Sequence, residues 1–139
     1  MTEKSATPDL RLLVQRLTDS KTDEIEDLMR FFAPDSVWDM SQGGLGVIEG
    51  REAIRAFFEE WRGAYEDYEQ EAEEIQDLGN GVVFAMFVQR GRPVDSTGWV
   101  EFRDARVWLW ADGLIERVTT FLDVDEARAA AQRLAEERG

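Results

Sequence analysis

Residues 31–65 read FFAPDSVWDMSQGGLGVIEGREAIRAFFEEWRGAY, and this stretch decides the fold that we expect. Pro34 predicts the end of a helix, because proline lacks a backbone donor and clashes with the preceding turn. A short strand over residues 36–40 follows, and after a glycine-rich turn Gly50 opens another helix. That helix repeats apolar residues at helical spacing: Ile54, Phe57, Phe58, Trp61 and Tyr65. We expect this apolar face to pack against a sheet made by the rest of the chain.

The composition indicates a globular protein. The length of 139 residues predicts one domain over residues 1–139, with its core between about residues 10 and 135. Hydrophobic residues make up 43% of the chain, which is enough for a buried core. No run approaches the roughly 20 apolar residues of a membrane helix, and the N-terminus lacks the apolar stretch of a signal peptide. Together with the absence of cysteine, these features predict a cytoplasmic protein.

Charge and residue types exclude several classes of function. Thirty acidic residues face sixteen basic ones, and a net charge of −14 disfavours binding to nucleic acids and to anionic membranes. The chain has no histidine and no cysteine, so the Ser-His-Asp and Cys-His nucleophiles are excluded and a zinc site is not expected. No nucleotide or flavin motif is present, and we predict neither a metal nor a cofactor. Any acid–base chemistry must use Asp, Glu, Tyr, Lys or Arg.

Two amphipathic helices are predicted before the first strand. Thr7 and Pro8 are typical of a helix start, and apolar residues at positions 10, 13, 14 and 17 give this helix one buried face. A second helix from about Asp23 repeats the same spacing and is expected to end at Pro34.

The second half of the chain has β periodicity. Residues 82–89 are apolar on both faces, which predicts a strand that is covered on both sides. Residues 99–111 alternate as a long strand, and the Asp-Gly pair that follows predicts a tight hairpin into residues 114–122. Asp125 then predicts the cap of a closing helix. The segment 66–77, EDYEQEAEEIQD, stays ambiguous, because its composition favours a helix and its alternation is weak.

Four segments together resemble the nuclear transport factor 2-like superfamily, and within it the SnoaL-like branch: FFAPDSVWDM, VIEGREAIRAFFEEW, ADGLIERV and TTFLDVDEA. The element G-x-E-A-I-x-x-F-F, which begins at Gly50, follows an aspartate-bearing strand at the distance that this superfamily shows. The resemblance covers roughly residues 10–135. The resemblance predicts the fold more specifically than the function. The superfamily includes isomerases, polyketide cyclases, epoxide hydrolases, dehydratases and members without enzymatic activity.

The resemblance implies an α+β cone. A strongly bent, mostly antiparallel sheet would wrap around the N-terminal helices and one inserted helix, with a C-terminal helix and a pocket at the open end. Residues 66–77 would then form a strand, against their local propensity. The resemblance also implies a homodimer through the outer face of the sheet, which would explain the two-sided apolarity of residues 82–89.

The ketosteroid isomerases of this fold suggest where a catalytic base would lie. They use an aspartate base together with a tyrosine and a protonated aspartate. Counting without gaps from Phe-Ala-Pro-Asp places Met40 at the base position, whereas a gap of one residue places Asp39 there, and both readings remain open. Arg106 falls at the position of the protonated aspartate. Its permanent charge cannot replace a neutral acid, but it could bind an anionic or carbonyl oxygen of a ligand.

The SnoaL-type cyclases imply a carboxylate that removes a proton next to a carbonyl, and Asp39 and Asp123 are the candidates. Each has a structural alternative. Asp39 could pair with a buried Arg106, and we predict this contact inside the cone, with Asp104 and Asp123 as substitute partners. Asp123 could instead cap the last helix together with Asp125.

The predicted function is the binding of a small, largely apolar molecule that carries at least one oxygen. We expect these residues to bind it: Trp38, Met40, Phe58, Trp61, Phe87, Gln89, Arg106 and Trp108. Proton abstraction by a carboxylate, leading to isomerisation, cyclisation or dehydration, is the chemistry favoured for a catalytic member. The alternative is a non-catalytic homodimeric module whose cone is filled by its own side chains.

Overall fold

A computed structural model describes residues 10–19 and 29–139 of the chain. Over these residues it contains three long helices, a short 3-10 helix (Ser41–Gly43) and six strands. The long helices and the strands are α1 (Leu10–Asp19), β1 (Phe32–Asp39), β2 (Val47–Glu49), α2 (Arg51–Gly63), β3 (Tyr65–Gly79), β4 (Val82–Pro93), β5 (Val100–Ala111), β6 (Leu114–Phe121) and α3 (Val124–Arg138). None of the helices in the described part is long and apolar enough to cross a membrane.

The six strands form one bent sheet in the order β2-β1-β6-β5-β4-β3. All neighbouring pairs are antiparallel except β1 and β6, which are parallel. The predicted hairpin at Asp112 is confirmed, and Asn80 makes the equivalent turn between β3 and β4. Both residues have positive φ, of 53° and 58°, and each is followed by a glycine with φ above 80°. This conformation matches the right-handed twist of the two flanking strands. The α+β cone that the resemblance implied is therefore the observed fold.

The inner face of the sheet and the helices α1 and α2 enclose the main core. The strand register places Val118 beside both Trp38 of β1 and Trp108 of β5, so these side chains lie on the same face. Val14 of α1 and Ile54 of α2 are fully buried against this face. The apolar stripe of α2 therefore packs as its spacing predicted.

The outer face of the sheet is covered by α3. Three alanines four residues apart on this helix, Ala127, Ala131 and Ala135, are buried against outward-facing residues such as Phe84 and Val107. Small side chains allow the helix to lie close to the strands. The two-sided apolarity of β4 thus has an explanation within one chain, and it does not require a partner subunit on this part of the sheet.

Several predicted boundaries need correction. Pro34 does not end a helix, because β1 already begins at Phe32 and continues through it. The cap of the last helix is Asp123 rather than Asp125, since the Asp123 carboxylate accepts the backbone N–H of Glu126 at 3.0 Å. The ambiguous segment 66–77 lies within β3, as the resemblance implied. The predicted start at Thr7 and residues 23–28 of the predicted second helix lie outside the described residues.

The packing of α3 predicts that the same substitution at two alanines of that helix changes the stability of the protein by very different amounts. Ala131 is fully buried, whereas Ala129 is exposed. Ala131→Asp should lower the free energy of unfolding by about 3 kcal/mol more than Ala129→Asp, because only the first buries an unpaired carboxylate. Urea denaturation of both variants measures the difference. Equal losses would show that α3 does not cover the sheet.

Candidate functional site

The centre of the candidate site is an ion pair on the inner face of β5. Asp104 and Arg106 are two residues apart, so their side chains project to the same side of the strand. The Arg106 Nε donates to Asp104 Oδ2 at 3.1 Å, and the side chains are only 10% and 7% exposed. A guanidinium cannot lose its charge at ordinary pH, so its burial requires such a partner.

Three further polar side chains extend this pair across β3 and β4. The Arg106 Nη2 donates to Gln70 Oε1 at 3.0 Å, and Gln89 Nε2 donates to Asp104 Oδ1 at 3.3 Å. The hydroxyl of Tyr68 donates to Gln89 Oε1. The register pairs Gln70 directly with Gln89, which brings the three strands into one network. We call these five residues the interior polar network.

Aromatic rings surround the guanidinium. The Arg106 Cζ lies 4.2 Å from the centre of the Phe87 ring and 5.6 Å from that of Trp38. Trp38 in turn makes edge contacts with Phe58 at 5.0 Å and with Trp108 at 5.8 Å between ring centres. Cation–π contacts of this kind stabilise an arginine that has lost most of its water.

One side of the network is less deeply buried than the rest. Tyr68 is half-buried, and so are three aromatic residues near it. Their ring centres follow one another closely: Tyr68–Tyr65 at 5.4 Å, Tyr65–Trp61 at 5.6 Å and Trp61–Phe102 at 6.1 Å. This side of the network is therefore the one nearest to the protein surface.

Arg62 of α2 brings a second guanidinium to the same side. Its Cζ lies 5.1 Å from the centre of the Tyr68 ring. Burial lowers the pKa of Arg62 below its ordinary value, and the positive charge of Arg106 lowers it further. Burial also raises the pKa of the Tyr68 hydroxyl, although the positive charge of Arg106 opposes that effect. Tyr68 is therefore a neutral hydrogen-bond donor at neutral pH.

The predicted contact between Arg106 and Asp39 is wrong. Asp39 follows the inward-facing Trp38 and so projects to the opposite side of β1. Its Oδ2 accepts from Arg117 Nη2 at 2.7 Å, and Arg117 is 44% exposed. Hydrogen bonds from Ser41 hold the pKa of Asp39 below its ordinary value, and Arg117 adds to this effect. Met40, the residue favoured by counting without a gap, is buried in the main core.

The second candidate base, Asp123, also lies away from the network. It is exposed at the start of α3, where its carboxylate caps the helix. A side chain in this position satisfies a free backbone donor of the first turn. Neither aspartate proposed from the sequence as a base is therefore placed where it could reach a molecule beside Arg106.

The structure brings together most of the residues predicted to bind a ligand. The aromatic residues Trp38, Phe58, Phe87 and Trp108, with Gln89 and Arg106, meet inside the sheet, and Trp61 lies at the half-buried side. Three contributors were not predicted: Arg62, Tyr68 and Gln70. Tyr68 and Gln70 follow from the pairing of β3 with β4, which the weak alternation of residues 66–77 did not reveal, whereas Arg62 lies on α2. Asp104 was named only as a substitute partner for Arg106.

The sequence matches the family model of the SnoaL-like domain over residues 14–118. The chain therefore belongs to the SnoaL-like family. No curated protein matches it.

Solved structures with similar folds share little sequence with this chain. A protein from Jannaschia sp. CCS1 named as a SnoaL-like polyketide cyclase is 19% identical, with a TM-score of 0.66 over 87% of this chain and 90% of that one. A protein with a ketosteroid isomerase-like fold from Catenulispora acidiphila, in complex with trimethylamine, is 14% identical, with a TM-score of 0.68 over 90% and 93%. TerC, co-crystallised with polyporic acid, is 16% identical, with a TM-score of 0.63 over 88% and 98%. At these identities the likeness shows the fold alone.

Removal of the buried guanidinium of Arg106 should strongly destabilise the protein. Arg106→Ala leaves the Asp104 carboxylate buried without its ion-pair partner and should lower the free energy of unfolding by about 3 to 5 kcal/mol. Arg117→Ala removes an exposed partner of Asp39 and should cost no more than about 1 kcal/mol. Equilibrium denaturation compares the two variants. A similar loss in both would mean that Arg106 is not buried as described.

The ionisation of Tyr68 can be measured on its own in a single variant, because the chain contains only two tyrosines. In Tyr65→Phe the remaining tyrosine is Tyr68, and its ionisation in the folded protein should occur above the ordinary pKa of 10.0. Ultraviolet absorbance during an alkaline titration follows this ionisation, and the same variant unfolded in urea provides the reference. Identical titrations in the folded and unfolded states would refute the buried position of the hydroxyl.

The same shift has a consequence for stability. Because the folded-state pKa of Tyr68 is raised, its contribution to stability is complete below the unfolded pKa of about 10 and is lost as the pH rises through the folded value. The wild type should therefore lose more stability than Tyr68→Phe between pH values of about 9 and 11. Denaturation curves at a series of pH values test this, and parallel losses in the two proteins would contradict it.

Proposed function

We propose that this SnoaL-like protein binds a small, largely apolar molecule with at least one oxygen in the interior of its cone. The observation that carries the proposal is the arrangement of Arg106. Its Nε and Nη2 are held by Asp104 and Gln70, while its Nη1 bonds to no described residue. A fixed guanidinium with remaining donors, set among aromatic rings, suits an oxygen atom on an apolar ligand.

The comparisons support this proposal only through the fold. Two proteins of similar architecture were crystallised with small organic molecules, trimethylamine in one and polyporic acid in the other. Neither compound is assigned to this chain. The shared cone is a reason to look for a ligand on the inner face of the sheet, and the interior polar network supports a position beside Arg106.

The network favours binding over proton abstraction. Both oxygens of Asp104 accept hydrogen bonds, one from Arg106 and one from Gln89, so this carboxylate orients the guanidinium. Asp39 and Asp123 are occupied elsewhere, by Arg117 and by the start of α3. Isomerisation, cyclisation or dehydration with either of them as the base is therefore not part of the proposal.

The proposal predicts that purified protein retains or captures a ligand. Native mass spectrometry of the wild type should show a bound small molecule, and its occupancy should drop in Arg106→Gln. Arg117→Gln removes the same charge on the outer side of β6, where Arg117 pairs with Asp39, and should leave the occupancy unchanged. If no compound is retained and no member of a metabolite library raises the melting temperature, the alternative of a non-catalytic, self-filled cone is favoured.

Homodimerisation through the sheet remains a proposal. Because α3 covers part of the outer face, a dimer interface must use the part of that face that α3 does not cover. The part of the outer face around Glu101 and Arg103 is exposed, and Arg103 pairs there with Glu73 at 3.0 Å. We expect this part to lie at or near the dimer interface. Light scattering at micromolar concentration should give twice the 16.0 kDa of one chain. The mass of a single chain would rule out the dimer.

A further inference from the structure

The turn between β3 and β4 has the sequence Asn80-Gly81, and its backbone restricts both positions. Asn80 has a φ of 58°, a conformation that asparagine adopts more readily than most residues. Gly81 has a φ of 82°, and a Cβ there would lie 2.3 Å from the carbonyl oxygen of Trp110. The fold therefore requires glycine directly after this asparagine, and the backbone nitrogen of Gly81 has no side chain beside it.

An asparagine followed by glycine can react with its own backbone. The Gly81 nitrogen attacks Cγ of Asn80, a C–N bond forms, and Nδ2 leaves as ammonia with the proton that the attacking nitrogen loses. The product is a five-membered cyclic imide. Water then opens the imide at either of its carbonyl carbons and leaves aspartate or isoaspartate at this position. Asn80 is exposed, so water reaches the site.

The last turn of α3 holds Asn80 in the folded protein. The Asn80 Nδ2 donates to the carbonyl oxygen of Ala135 at 2.7 Å. The Arg138 Nε donates to the carbonyl oxygen of Asn80 at 2.8 Å, and its Nη2 donates to that of Trp110 at 3.1 Å. Because Nδ2 is the group that leaves, the reaction must break the bond to Ala135. Docking of the helix end therefore opposes the modification.

The product would lose this contact and gain a charge in an unfavourable place. A carboxylate has no hydrogen to donate to the Ala135 carbonyl, so two acceptors would face each other. The end of a helix also carries a partial negative charge, which opposes a nearby anion. The turn itself accepts aspartate, since Asp112 and Gly113 make the equivalent turn with φ values of 53° and 81°. The effect of the change therefore falls on α3.

We propose that Asn80 is a deamidation site that is controlled by the docking of α3. The reaction is slow while the last turn of the helix is bonded to Asn80, and it proceeds when this turn opens locally. Conversion of Asn80 to aspartate or isoaspartate then weakens the docking of the same turn. The proposal does not depend on a ligand in the cone.

Peptide mapping by mass spectrometry tests the control of the reaction. Folded wild type and variants are kept in alkaline buffer, with wild type unfolded in guanidinium chloride as the reference, and the modified fraction of Asn80 is followed over time. The folded wild type should react more slowly than the reference. Arg138→Ala removes the bonds to Asn80 and Trp110 and should raise the rate about threefold or more.

Arg133→Ala is the matched control, because it removes the same charge from an exposed position of the same helix and should keep the wild-type rate. Absence of modification in the unfolded reference would overturn the site. Equal rates in folded and unfolded wild type, or in Arg138→Ala and wild type, would overturn the control by α3. If circular dichroism shows that Arg138→Ala is unfolded, the comparison of folded with unfolded wild type decides.

Hydrogen exchange tests the consequence of the modification, with Asn80→Asp as a substitute for the product. The backbone amides in the last turn of α3 should exchange about threefold faster or more than in the wild type. Gln132→Glu makes the same change from amide to carboxylate at an exposed position of the helix and should keep the wild-type exchange. Wild-type exchange in Asn80→Asp would overturn the effect on α3.

Discussion

The burial of one guanidinium constrains the centre of this protein. Arg106 cannot be neutralised by losing a proton, so the fold must supply a carboxylate, further acceptors and aromatic rings around it. Asp104 provides the carboxylate from the same strand, and Gln70 provides an acceptor from β3. These contacts exist only when β3, β4 and β5 are paired in the observed register. The polar network therefore depends on the sheet and also helps to specify it.

The sheet divides the protein into two environments with different roles. Successive residues of β4 point to opposite sides, with Val83 in the inner core and Phe84 in the outer one. The outer side is closed by the alanines of α3 and contains mainly apolar contacts. The inner side combines an apolar core with the polar network, and its half-buried edge lies near Trp61 and Tyr68. α3 therefore packs on one face of the sheet, and the polar network lies on the other.

Much of this architecture could be predicted from the sequence, whereas the partner of Arg106 could not. Hairpin residues, helical spacing and the resemblance together indicated the cone, and strand alternation placed Asp104 and Arg106 on one face. The choice of Asp39 as the partner depended on how β1 aligns with its neighbours. A shift of one residue moves every side chain of a strand to the other face. Local sequence does not determine that alignment, and the structure places Asp39 beside Arg117 instead.

The other site residues that the sequence analysis did not predict were missed for a similar reason. Tyr68 and Gln70 belong to a segment whose composition favours a helix, and their inward direction became clear only from the pairing of Gln70 with Gln89. Arg62 lies on α2, one residue after the apolar Trp61, where periodicity alone suggests the edge of a solvent-exposed face. In each case the missing information is a contact between distant segments, which propensity and periodicity do not contain.

A double-mutant cycle on Asp104 and Arg106 tests the central claim most directly. Asp104→Ala, Arg106→Ala and the double variant are compared with the wild type by equilibrium denaturation, which isolates the energy of the pair from the other losses. A buried, directly bonded pair predicts a coupling free energy of about 2 kcal/mol or more. Losses that add to within about 0.5 kcal/mol would contradict the account, because they would show that the two side chains do not interact inside the cone.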